Sequence, residues 1–117
     1  MKILFVTSLL MMSISQADVI RCNFTEPFVA SVYSMTQSTL SYVNSDGKKQ
    51  TIKNVSFQIK AAGVFELVAK DGTLLQKLTL NRQGSDGMSD RLYPYEAKDN
   101  SPITHQSYGG CSSNYLK

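Results

Sequence analysis

The most chemically loaded stretch of the chain is Gly84-Ser85-Asp86-Gly87-Met88-Ser89-Asp90-Arg91-Leu92-Tyr93-Pro94-Tyr95, which gathers two carboxylates, a guanidinium, two glycines and two phenols. Two uses of those groups compete. In one, Asp and Ser side chains bond to nearby backbone, the glycines take positive φ, and Arg91 pairs with a carboxylate. Tyr93 and Tyr95, two apart, then share one face of the strand that follows. In the other, Asp86, Ser89, Asp90, Arg91, Tyr93 and Tyr95 form a binding surface with Arg91 and the tyrosines as its anchor. Calcium ligation by Asp86 and Asp90 fits poorly, because the D-x-[DN]-x-[DN]-G spacing is missing. A second segment, Thr25-Glu26-Pro27-Phe28, also has two readings: a strand break whose Phe28 re-enters the core, or a site at which Glu26 faces a cleft opposite Arg91 and forms a buried polar pair with it.

The tools of catalysis are sparse. Nucleophilic catalysis needs a Ser or Cys beside an oriented base. The single histidine, His105, lies in Pro-Ile-Thr-His-Gln, with no G-x-S-x-G elbow and no catalytic-cysteine signature nearby. Glu26, Asp86 and Asp90 would be the acids of a small hydrolase if the fold brought them together, since two carboxylates in unlike environments divide acid and base roles. One histidine and two cysteines supply no zinc-ligand set, so no metal and no cofactor is expected. The reading is of a protein that is not an enzyme.

These groups must be carried by a small extracytoplasmic domain. The first residues, MKILFVTSLLMMSISQA, run from a basic start through an apolar stretch to Ala17, the layout of a cleavable secretory signal. That apolar stretch falls short of the roughly 20 residues needed to span a bilayer. Asp18 follows the expected cleavage point, so neither a lipid anchor nor a stable membrane anchor is expected, and residues 18–117 form one domain. Cleavage removes Lys2 and no acid, leaving 11 basic residues against 9 acidic ones, a balance that does not imply nucleic acid. Cys22 and Cys111 stand near the two ends of the mature chain, and in an oxidising compartment they are expected to pair.

Apolar positions recur every second residue, which is strand periodicity. Strands are expected at Val19 to Phe24, Phe28 to Met35, Leu40 to Val43, Gln50 to Ile52, Val55 to Ile59, Val64 to Ala69 and Thr73 to Leu80. Asp46-Gly47 and Asp71-Gly72 mark hairpin turns. Periodicity stops from Asn81 to Asp90, short closing strands are read at Arg91 to Glu96 and Thr104 to Tyr108, and Ser112 to Lys117 reads as a loose tail. The expected fold is all-β, an antiparallel barrel or sandwich of about seven to eight strands.

In Thr25-Glu26-Pro27-Phe28, Ser85-Asp86-Gly87-Met88-Ser89-Asp90-Arg91, Tyr93-Pro94-Tyr95 and Gly110-Cys111, the chain resembles a family of small bacterial secreted or lipoprotein β domains of uncharacterised function. It departs from that family at Val29, where tryptophan is common, and at Gly84, where cysteine is common. The resemblance implies the periplasm or the outside of a Gram-negative cell and supplies no substrate. A weaker similarity, in size, secretion and disulfide, is to the small β-barrel inhibitors of lysozyme. Three expectations follow: a non-enzymatic binding or envelope-maintenance protein whose partner is an envelope or extracellular protein or a small ligand; an inhibitor of a cell-wall hydrolase; or a small hydrolase using Glu26, Asp86 and Asp90.

Overall fold

The computed structural model describes residues 19–25, 28–87 and 89–113. The signal-peptide assignment, residues 1–17, therefore lies outside the described residues, as do residues 114–117. Among the described residues nine strands form: β1 (Val19–Phe24), β2 (Val29–Ser34), β3 (Thr39–Asn44), β4 (Lys49–Ile52), β5 (Ser56–Ala61), β6 (Val64–Val68), β7 (Leu74–Ser85), β8 (Leu92–Asp99) and β9 (Ser107–Ser113). They pair antiparallel in one sheet, in the order β4-β3-β2-β1-β9-β8-β7-β6-β5.

That order describes two meanders, β1 to β4 and β5 to β9, joined through β1 and β9. Both expected turns form as read. Gly47 and Gly72 have positive φ, and each donates its N–H to the carbonyl three residues back, Asn44 and Ala69. At the central seam Cys22 lies directly opposite Cys111, and the two form the expected disulfide.

The sheet is rolled around a single core. Strands four places apart in a flat sheet would lie about 19 Å from one another, yet Tyr42 of β3 bonds Asp99 of β8, and Gln76 of β7 bonds Ser31 of β2. Buried side chains from β1, β2, β3, β6, β7, β8 and β9 meet in one cluster that includes Ile20, Phe24, Leu40, Leu67, Leu78 and Tyr95. Val55, between β4 and β5, closes the far side: its N–H bonds Ser38 and its carbonyl accepts from the Tyr33 hydroxyl. A rolled single sheet is the barrel-like form of the expected all-β architecture, with the unpaired outer edges of β4 and β5 as its open flank.

Four expectations are corrected. β7 continues beyond Leu80 to Ser85, because the chain bulges and resumes pairing: Leu80 faces Tyr95, Gly84 faces Tyr93, and Arg82 between them takes φ 59°. The last strand is Ser107–Ser113 in place of Thr104 to Tyr108, since residues 102–105 form a turn. Ser112 and Ser113 thus belong to β9, facing Arg21 and Ile20, and are not part of a loose tail. Phe28 does not re-enter the core; it is 51% exposed, and the inward position falls to Val29.

Candidate functional site

The segment between β7 and β8 is tied to itself around Asp86. This carboxylate is only 8% exposed. Its Oδ1 accepts from the Ser89 backbone N–H at 2.9 Å, and its Oδ2 accepts from the Ser89 hydroxyl at 3.0 Å and the Tyr93 hydroxyl at 3.0 Å. The Asn23 amide donates to the Tyr93 oxygen at 3.3 Å, which links the loop to β1. A short-range aspartate with hydroxyl and backbone donors is the expected local fix for a turn that lacks ladder bonds.

Two glycines make this packing achievable. A Cβ on Gly87, whose φ is +74°, would stand 2.3 Å from Thr25 Cγ2, so the loop rests directly on the turn after β1. A Cβ on Gly84 would stand 2.1 Å from the Tyr95 carbonyl oxygen. The two unusual segments of the sequence are therefore brought into contact through Gly87 and Thr25. Tyr93 and Tyr95 are both buried, but they do not meet the same surroundings as their spacing implies: Tyr95 enters the core cluster, whereas Tyr93 packs over Gly110 and bonds Asp86 and Asn23 outside that cluster.

Arg91 behaves differently from its neighbours. Among the described residues it does not pair with a carboxylate, as the sequence led us to expect; its guanidinium lies 4.7 Å from the centroid of the Tyr93 ring. Its backbone N–H donates to Ser89 Oγ at 3.3 Å, and its side chain is exposed. Ser89 and Asp90 are exposed as well. Glu26 lies outside the described residues. His105 is exposed at φ 56°. Among the described residues no group of three His, Cys, Asp or Glu side chains is arranged to hold a metal.

Arg91 faces a pocket of about 290 Å³ that sequence reasoning missed, lined by Val19, Arg21, Arg91, Ser112 and Ser113. Arg21 is the outward residue between Ile20 and Cys22, so the period-two alternation of β1 was the signal that would have put it on this face.

A second polar cluster, also missed, lies inside the barrel. Asp99 is fully buried and accepts four bonds. Oδ2 takes the Tyr42 hydroxyl at 2.5 Å and the Gln76 amide at 2.9 Å. Oδ1 takes the Thr104 hydroxyl at 2.7 Å and the Ser101 N–H at 2.8 Å. Gln76 also donates to Ser31 Oγ at 3.0 Å. Four donors match the capacity of a carboxylate, and no buried side-chain polar atom among the described residues is left without a partner. Burial first, and then the Asp99 charge, push the Tyr42 hydroxyl far above its ordinary value. The signal for Asp99 was again alternation, since it continues the inward series Tyr95, Ala97.

Comparison with known proteins finds no family model that matches the chain, and no curated protein and no solved structure that matches it. The assignment of function rests on the geometry alone.

Proposed function

We propose that the mature chain is a non-enzymatic binding domain of the periplasm or the extracellular space, with the segment between β7 and β8 as its presenting element. The observation that carries this reading is a division of labour within that segment. Asp86 is buried and bonded on both oxygens, with Ser89 and Tyr93 among its donors, while Arg91 is set on the Tyr93 ring at the rim of an open pocket. A general acid or base must reach the proton it transfers; a buried carboxylate already bonded on both oxygens favours a supporting role over a chemical one. An exposed arginine on an aromatic ring is instead a usual anchor of recognition surfaces. The Cys22–Cys111 disulfide is compatible with an extracytoplasmic location.

The test compares Asp86→Ala with Arg91→Ala by thermal unfolding and by pull-down from an envelope extract. Asp86→Ala is expected to unfold at a clearly lower temperature. Arg91→Ala is expected to stay folded and to lose the partner that the unaltered chain captures. Capture of the same partner at the same level by Arg91→Ala would overturn the reading. Stoichiometric loss of lysozyme activity on titration would make a cell-wall hydrolase the partner. Turnover in a broad substrate panel, abolished by Asp90→Asn, would replace binding with catalysis.

A further inference from the structure

Resting on the reading of the chain as a binding domain, we infer that the pocket between Arg21 and Arg91 takes a phosphate group. Among the described residues five line it: two carry guanidinium groups, two carry hydroxyls and none is acidic. A cavity of about 290 Å³ is at the small end of ligand sites, a size suited to one phosphate with the first atoms of its ester. Two guanidinium forks and the Ser112 hydroxyl supply donors in excess of what a carboxylate's two oxygens accept. They match the three oxygens and the double charge of a phosphomonoester.

The backbone that carries Arg21 and the guanidinium of Arg91 are held in place before any ligand arrives. Arg21 faces Ser112 across the β1–β9 ladder, one step from the directly opposed Cys22 and Cys111, so the disulfide fixes the strand pair from the inner face while these two side chains stand on the outer one. Ser113 donates to the Val19 carbonyl at 2.8 Å and ties the floor of the pocket together. Arg91 is backed by the Tyr93 ring at 4.7 Å, and that ring is fixed in turn by Asp86 and Asn23. Preorganised donors lose less freedom on binding than free surface arginines do.

The experiment is a titration of the purified, disulfide-bonded protein with inorganic phosphate, followed by amide chemical shifts and thermal unfolding, at constant ionic strength made up with chloride. Acetate is the carboxylate control. Saturable shifts at Arg21, Arg91 and Ser112 are expected with phosphate. Arg21→Gln, whose side chain lies on the exposed face of β1, should raise the half-saturating concentration about tenfold or more, the loss expected for a hydrogen bond to a charged group. Arg91→Gln should do the same, with Arg21→Gln as the variant that leaves the loop around Asp86 intact. Phosphatidic acid vesicles, whose headgroup is a phosphomonoester, against phosphatidylcholine vesicles, and glycerol phosphate in solution, separate a lipid headgroup from a soluble ester as the source. A response no larger than that to acetate, or an unchanged response in Arg21→Gln, would overturn the assignment. If such a result accompanies partner capture that still depends on Arg91, the phosphate assignment fails and the binding-domain reading stands; loss of both overturns both.

Discussion

Two aspartates in this molecule are solved in the same chemical way for different ends. Asp86 and Asp99 both stand largely or wholly out of water, and hydroxyl and N–H donors bond both. Asp86 takes its donors from Ser89 and Tyr93, within seven residues, so it shapes one loop. Asp99 takes Tyr42 from 57 residues away and Gln76 from 23 residues away, so it holds the two meanders to each other across the inside of the barrel. One carboxylate fixes local shape and the other fixes global closure, and the difference lies in the reach of their partners.

The comparison predicts unequal losses. Asp99→Ala would strand the Tyr42 hydroxyl, the Gln76 amide and the Thr104 hydroxyl in the core, at about 1–3 kcal/mol for each donor left unsatisfied; a loss of several kcal/mol in urea unfolding is expected. A loss no larger than that of Asp86→Ala would break the contrast. The same network predicts weakness in alkali. Tyr42's folded-state pKa is raised above its ordinary 10.0, so its contribution is complete below that pH and is lost above it. The loss is about 1.4 kcal/mol per pH unit where the unfolded chain ionises and the folded one does not. Tyr42→Phe should flatten that part of the stability profile between pH 10 and pH 11. Asp86→Ala comes next, at about 1–3 kcal/mol, with the largest change in hydrogen exchange confined to residues 84–95. Arg91→Ala is the smallest, at about 0.5–1 kcal/mol, the usual size of an exposed cation–π contact.

How legible each region was follows from the same distances. Asp86, Ser89 and Tyr93 stood out in the sequence because the groups that satisfy one another are neighbours in the chain. Both Asp-Gly hairpins were legible for that reason, as each turn needs only its own residues. The Asp99 cluster was not: Ser101 and Thr104 are local donors, but Gln76 comes from β7, and Tyr42 of β3 reaches the carboxylate only once the sheet has rolled. The continuation of β7 was hidden by the bulge at Asn81 to Gln83, which interrupts alternation without ending the strand. Phe28 misled because aromatic residues are usually buried, whereas here Val29 holds the inward register position opposite Phe24. Arg21 drew no notice because a lone charged residue in a strand ordinarily marks only the solvent side; its significance came from β9 and Arg91 being brought to the same pocket.

The central ladder between β1 and β9 also sets the order in which this molecule is able to form. Every other strand pair joins sequence neighbours, but β1 meets β9 at a cysteine separation of 89 residues. Each meander has only short hairpin loops to close, whereas the joint between them must wait for the last strand to emerge, and non-local pairings of this kind are slow. Until then β1 keeps one bare ladder edge and both cysteines remain open to wrong partners. Formation of the Cys22–Cys111 bond therefore marks completion of the fold, and the interval before it is when the chain most needs protection from aggregation.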